Sequence, residues 1–192
     1  MNTLKAEKRN MDVRAKKLRR EGFVTGNLFG REIEASIPLQ MTAREVEGLL
    51  KTCHKGSQIL LNVDNKTYHV LIKDVEYNSM KHCVEEIDFQ ALVSGQKVHS
   101  VAEIVLQNHE KVSTGVLEEL LKEISYKALP EDLVDQVLVD VGDMRAGDTI
   151  RVRDLAIAAN EKIELLTDPQ EAVVTVAMVN NKAAEEETEA EE

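Results

Sequence analysis

Aromatic side chains are scarce: there is no tryptophan, and three tyrosines and three phenylalanines make up only 3% of 192 residues. A core in such a chain rests on Leu, Ile and Val, and few rings are left to stack on single-stranded bases, the usual device of sequence-tolerant strand binders. No apolar run approaches the ~20 residues needed to span a bilayer. Met1-Asn2-Thr3-Leu4-Lys5 lacks the apolar stretch of a secretion signal. The two cysteines, Cys53 and Cys83, lie far apart and make no disulfide framework. These absences point to a cytoplasmic protein with reduced thiols and no membrane partner.

Signals for catalysis are also missing. The nine glycines do not cluster into a phosphate cradle, and there is neither a Gly-x-Ser-x-Gly elbow nor a metalloprotease helix motif. No enzyme activity, small-molecule substrate or cofactor is expected. Cys53-His54 and His82-Cys83 form a mirrored pair with the donor chemistry of a zinc site. Adjacent residues on a strand point to opposite faces, however. Each pair is therefore expected to be a buried thiol beside a solvent-facing imidazole, with no metal bound.

What the chain does have is a divided charge. Residues 1–93 carry 15 Lys and Arg against 13 Asp and Glu, a net of +2; residues 94–192 carry 9 against 22, a net of −13. Within residues 5–20, eight bases (Lys5, Lys8, Arg9, Arg14, Lys16, Lys17, Arg19 and Arg20) meet only two acids, Glu7 and Asp12. The field a partner meets is local, so this segment is a candidate phosphate-binding surface despite the acidic whole. A solvated helix face would have the same composition.

Hydrophobic periodicity points to a mainly β chain with some α. Leu4–Arg9 has strand character, Asp12–Glu21 that of a short helix or basic loop ended by Gly22. Phe23–Phe29 and Glu32–Leu39 are strand candidates around a Gly30-Arg31 turn. Thr42-Ala43-Arg44-Glu45 is a capping box opening a helix through about His54, with Val46, Leu49, Leu50 and Cys53 as its buried stripe. Gln58–Val63 and Thr67–Val75 form a hairpin about Asp64-Asn65, and Cys83–Val93 a further strand. Ser94-Gly95-Gln96 marks a boundary between domains at 1–93 and 94–180. Beyond it Val98–Leu106, Leu133–Val141, Thr149–Leu155 and Ala172–Val179 are β-like, while Val116–Ile124 fits helix or a strand–helix mixture. Residues 181–192, with six glutamates, are expected to be a disordered acidic tail.

The order of several short stretches adds what composition does not. Arg9…Lys16-Lys17-Leu18-Arg19-Arg20-Glu21-Gly22-Phe23-Val24…Leu28-Phe29-Gly30, then Val70-Leu71-Ile72-Lys73-Asp74-Val75 and Ile87-Asp88-Phe89, resemble the bacterial family of large-subunit ribosomal protein twenty-five and the general stress protein CTC. Ala128-Leu129-Pro130, Val137–Val141 and Gly147–Leu155 resemble that family's second domain. The likeness runs from about residue 4 to residue 179.

The resemblance implies an N-terminal six-stranded β-barrel with helices, followed by a β-rich second domain. It implies a ribosomal component whose partners are the large subunit and the loop E region of 5S rRNA, bound by shape and phosphate contacts in a widened minor groove. Arg9, Lys16, Lys17, Arg19 and Arg20 would contact phosphates and sugar edges, and Asp88 would accept from base amino groups or orient a donor. Against the family pattern, Met11-Asp12 replaces Gly-Lys, with Arg14 as partial compensation. Thr25 replaces Pro, Phe29 replaces Tyr, Glu76 replaces Gln, and Glu86 replaces the His of His-x-Asp-Phe. The apolar residues are kept while five positions on one expected RNA-facing surface, Met11, Asp12, Phe29, Glu76 and Glu86, change. The alternative is thus a paralogue that keeps the fold but serves as a protein-interaction or stress protein without 5S rRNA binding.

Overall fold

The structure is a computed structural model that describes residues 2–112 and 115–178. The acidic tail expected over 181–192 lies outside the described residues.

Six strands, β1 (Asn2–Lys8), β2 (Phe23–Phe29), β3 (Ile37–Thr42), β4 (Gln58–Val63), β5 (Lys66–Asn78) and β6 (Cys83–Ala91), close into a barrel in the order β1-β3-β2-β6-β5-β4. Parallel pairing of β1 with β4 shuts it, and β2 lies parallel to β6. The six-stranded barrel expected from the resemblance is present. Period-2 alternation fills it: Ile59, Leu61 and Val63 of β4 point inward, as do Val24 and Leu28 of β2 and Ile87 and Phe89 of β6. The β4–β5 turn holds Asp64 and Asn65 at φ of 47° and 69°, the conformation a two-residue hairpin turn requires. Gly26 permits the close β2–β6 approach, since a Cβ there would lie 2.0 Å from the Ile87 carbonyl oxygen.

Two helices dress the barrel. α2 (Ala43–Leu50) opens at Thr42, whose hydroxyl accepts the Glu45 N–H at 3.4 Å and donates to the Glu45 carboxylate at 2.6 Å. Val46 and Leu49 are buried in the barrel core, together with Cys53. The helix stops four residues before His54. The Leu49 carbonyl accepts the Cys53 N–H, a last helical bond, and also the N–H and hydroxyl of Thr52, so the ladder ends in a turn there. α1 (Ala15–Arg20) is shorter than the segment Asp12–Glu21, because the Asn10 side chain takes the Asp12 N–H and holds residues 10–13 in a turn. The strand expected from Glu32 starts only at Ile37: β2 and β3 pair Leu28 with Ile37, leaving residues 30–36 as the connection.

A second buried cluster lies beyond residue 94. There β7 (Val98–Gln107), β9 (Glu123–Ala128), β10 (Gln136–Asp140) and β12 (Glu164–Leu165) form one sheet in the order β10-β7-β9-β12. β8 (Val116–Glu119), β11 (Thr149–Arg151) and β13 (Ala172–Ala177) form another, ordered β11-β13-β8. Val116–Ile124, open between helix and mixture in the sequence, is the strand β8 and the start of β9. Thr149–Leu155 is strand only to Arg151; Val152–Asp154 is a 3₁₀ turn, where the Asp154 carboxylate accepts the Arg151 N–H at 3.0 Å. The fully buried Tyr126 ties the core to its rim, its hydroxyl donating to the Val134 carbonyl (2.7 Å) and accepting the Val134 N–H (2.8 Å).

The two halves touch across a polar seam. The buried Ser57 donates to Asp135 at 3.2 Å, Gln58 to the Pro130 carbonyl at 2.8 Å and Lys73 to the His99 carbonyl at 2.9 Å. Gly56, at φ +89°, sits where a Cβ would be 2.0 Å from the Val101 carbonyl oxygen.

Candidate nucleic-acid interface

The outer face of β2, β6 and β5, with α1 along its rim, gathers most of the residues singled out in the sequence. On β2, alternation turns Thr25, Asn27 and Phe29 outward; they pair with Glu86, Asp88 and Gln90 of β6. On β5, Asp74 and Glu76 pair with Asp88 and Glu86. The β5–β6 ladder shifts register between Glu76 and Tyr77, so both Glu85 and Glu86 reach the surface.

The bases divide into two groups. Arg14, Lys16, Lys17 and Arg20 are exposed on and before α1, with Lys17 3.8 Å from Glu21. All four are exposed and can turn to phosphates, Lys17 by leaving its solvent-exposed pair with Glu21. Arg19 instead turns inward beside the buried Leu18. Its Nε donates to the Glu85 carbonyl at 3.0 Å, and its Nη2 donates to Thr25 and to the Glu86 carboxylate, each at 3.3 Å. Its Nη1 lies 3.5 Å from the Glu85 carboxylate. Arg9 donates to the Val13 carbonyl at 3.1 Å and supports the turn before α1.

The carboxylates also differ. Asp88 accepts from both the backbone and the side chain of Asn27, at 3.0 and 3.2 Å. Glu86 accepts from Asn27 Nδ2 at 3.3 Å. Burial, then the charges of Asp88 and Glu76, push the Glu86 carboxyl above the ordinary carboxylate range, against the pull of Arg19 and Arg9. Glu85 goes the other way: hydrogen bonds from Lys81 (2.9 Å) and Asn78 (2.7 Å) hold it below that range. Asn78 also fastens the hairpin tip by accepting the N–H groups of Met80 and Lys81.

Asn27 and Glu85 were not foreseen. Asn27 carries a legible signal, the outward phase shared with Thr25 and Phe29; Glu85 does not, because a register shift is invisible in a single sequence. The mirrored Cys-His pairs are not brought together as ligands. Cys53 is buried and takes a 2.9 Å contact from Asn2, Cys83 opens β6 opposite Asn78, and no metal-ligating cluster of three side chains occurs among the described residues.

Residues 4–89 match the model of the ribosomal L25p family, and residues 97–180 match that of the C-terminal domain of ribosomal protein TL5. A protein of Carboxydothermus hydrogenoformans named large ribosomal subunit protein bL25 is 30% identical over 191 residues, covering 94% of each chain. The chain belongs to the ribosomal L25p family. Within it, the bL25 of Finegoldia magna is 31% identical over 91% of this chain and 82% of its own. The bL25 of Bacillus velezensis is 28% identical over 98% of this chain and 94% of its own. The L25p match runs from Leu4 within β1 to Phe89 within β6, and the TL5-type match begins one residue before β7. No helix among the described residues is long and apolar enough to cross a membrane.

Proposed function

We propose that this chain is a structural, non-catalytic component of the large ribosomal subunit that binds the loop E region of 5S rRNA. Residues 1–93 form the RNA-binding unit and residues 94–180 a second, acidic unit. The observation that carries the proposal is a polar strand face (Asn27, Glu86, Asp88), with Thr25 buried against Arg19, flanked by four exposed bases on α1 and the segment before it. The bases neutralise phosphates and set the register. The strand face meets base edges in the wide, shallow minor groove of an RNA helix. Asp88, oriented by Asn27, accepts from a base amino group.

Two observations favour the rival, an interaction or stress protein that has left 5S rRNA. Arg19 is already held by two carboxylates, and Asp74, Glu76, Glu86 and Asp88 make one continuous acidic row. Titration of a loop E fragment at two salt concentrations separates the two. Magnesium-sensitive binding with a clear salt slope supports the ribosomal proposal; affinity no better than for an unrelated hairpin supports the rival.

A further inference from the structure

The Arg19 guanidinium is arranged as though already bound to an anion. Its Nε and both terminal nitrogens face two carboxylates, a main-chain oxygen and a hydroxyl, within 3.0–3.5 Å. A phosphate asks for the same fork of parallel donors that a carboxylate takes. Its side chain is only 29% exposed, so an incoming phosphate has to displace something to reach it. Of its partners, Thr25 and the Glu85 carbonyl are fixed by the β2 and β6 strands. The Glu85 carboxylate is tethered by Lys81 and Asn78. Only the Glu86 carboxylate is weakly placed: among the described residues its one other donor is Asn27, at 3.3 Å, and Asp88 and Glu76 crowd it.

We propose that Glu86 is an internal occupant of Arg19, standing where an RNA phosphate would bind, and that it gates this arginine's entry into the RNA interface. The proposal rests on the 5S rRNA function above and adds how affinity is set. The charged and titratable groups facing Glu86 are Asp88 and Glu85 on its own strand, Glu76 on β5, Arg19 on α1 and Arg9 after β1; β2 presents only Thr25 and Asn27. Burial, with the charges of Asp88 and Glu76, outweighs Arg19 and Arg9 and favours the neutral form of Glu86. Glu85 stays ionised and keeps the arginine in place. The two neighbouring carboxylates thus have separate tasks, Glu85 to anchor and Glu86 to release. Affinity for phosphate should rise when Glu86 is neutralised, by acid or by substitution.

The test is binding of the full chain and its Glu86→Gln variant to a 5S rRNA loop E fragment between about pH 7.5 and about pH 5, a span reaching towards the carboxylate range. Glu86→Gln keeps the shape and a hydrogen-bonding oxygen for Arg19. The variant should bind about tenfold more tightly than the parent at the upper end, the weight of one charge-assisted contact. The parent should approach the variant as the pH falls, and the variant's salt slope should be steeper by about one phosphate. Arg19→Ala combined with Glu86→Gln should remove the gain. Equal affinity of parent and variant at every pH overturns the gate while leaving the 5S rRNA function intact. Failure of both to bind better than an unrelated hairpin overturns the 5S rRNA function, and the gate with it.

Discussion

Glu76 and Glu86 stand directly opposite each other on β5 and β6, two carboxylates in register on the outer face of the barrel. Opposed like charges weaken a strand pair by about 0.2–1 kcal/mol. Glu76→Gln should therefore raise the stability of the barrel by about 0.5 kcal/mol, measured by denaturant unfolding at neutral pH. A loss of stability would mean that the Glu76 charge is matched by cations on that face.

The pH dependence has a fixed sign. Glu86 holds its proton more tightly in the folded chain than in the unfolded one, so its charge weakens the fold at neutral pH. That weakening fades as the pH falls through the raised folded value towards the ordinary 4.5. Compared with Glu86→Gln, the parent should gain stability across that window. A difference between the two that does not vary with pH would contradict the burial and charge crowding assigned to Glu86.

Two glycines give opposite expectations. Gly26→Ala places a methyl 2.0 Å from the Ile87 carbonyl oxygen and forces β2 from β6. It should cost about 3 kcal/mol and disturb the face that carries Asn27 and Asp88. Gly48 lies in α2 with open space around its missing side chain. Gly48→Ala should stabilise by about 0.5–1 kcal/mol. Chemical denaturation of both variants checks the contrast.

Tyr126→Phe removes one donor and one acceptor from Val134 and leaves both backbone groups unpaired. A loss of about 2–3 kcal/mol is expected for the second half of the chain. Hydrogen exchange at Val134 is the direct readout: its amide should exchange much faster in the variant.

The barrel was legible where pattern and turn chemistry agree. β2 falls on Phe23–Phe29 as expected, and Asp64-Asn65 turns between β4 and β5 because both residues tolerate positive φ. It was not legible where pairing decides. Ile37, and not Glu32, opens β3 because Leu28 lies opposite it. Leu120 and Leu121 continue a run that suits a helix, yet β8 ends at Glu119 and both N–H groups turn to the Val173 carbonyl. The same limit applies at the interface. Composition marks Arg19 as one base among eight, whereas its neighbours Glu85 and Glu86, turned outward by a register shift, make it the one held between two carboxylates.

In the proposed complex the α1 bases and the β2–β6 face grip loop E. Chemical footprinting of intact 5S rRNA with the full chain tests this most directly. Protection should centre on the loop E backbone and minor groove, and should vanish when Arg14, Lys16, Lys17 and Arg20 are all changed to alanine. Absence of protection at loop E, or protection unchanged by loss of those four charges, would contradict the account.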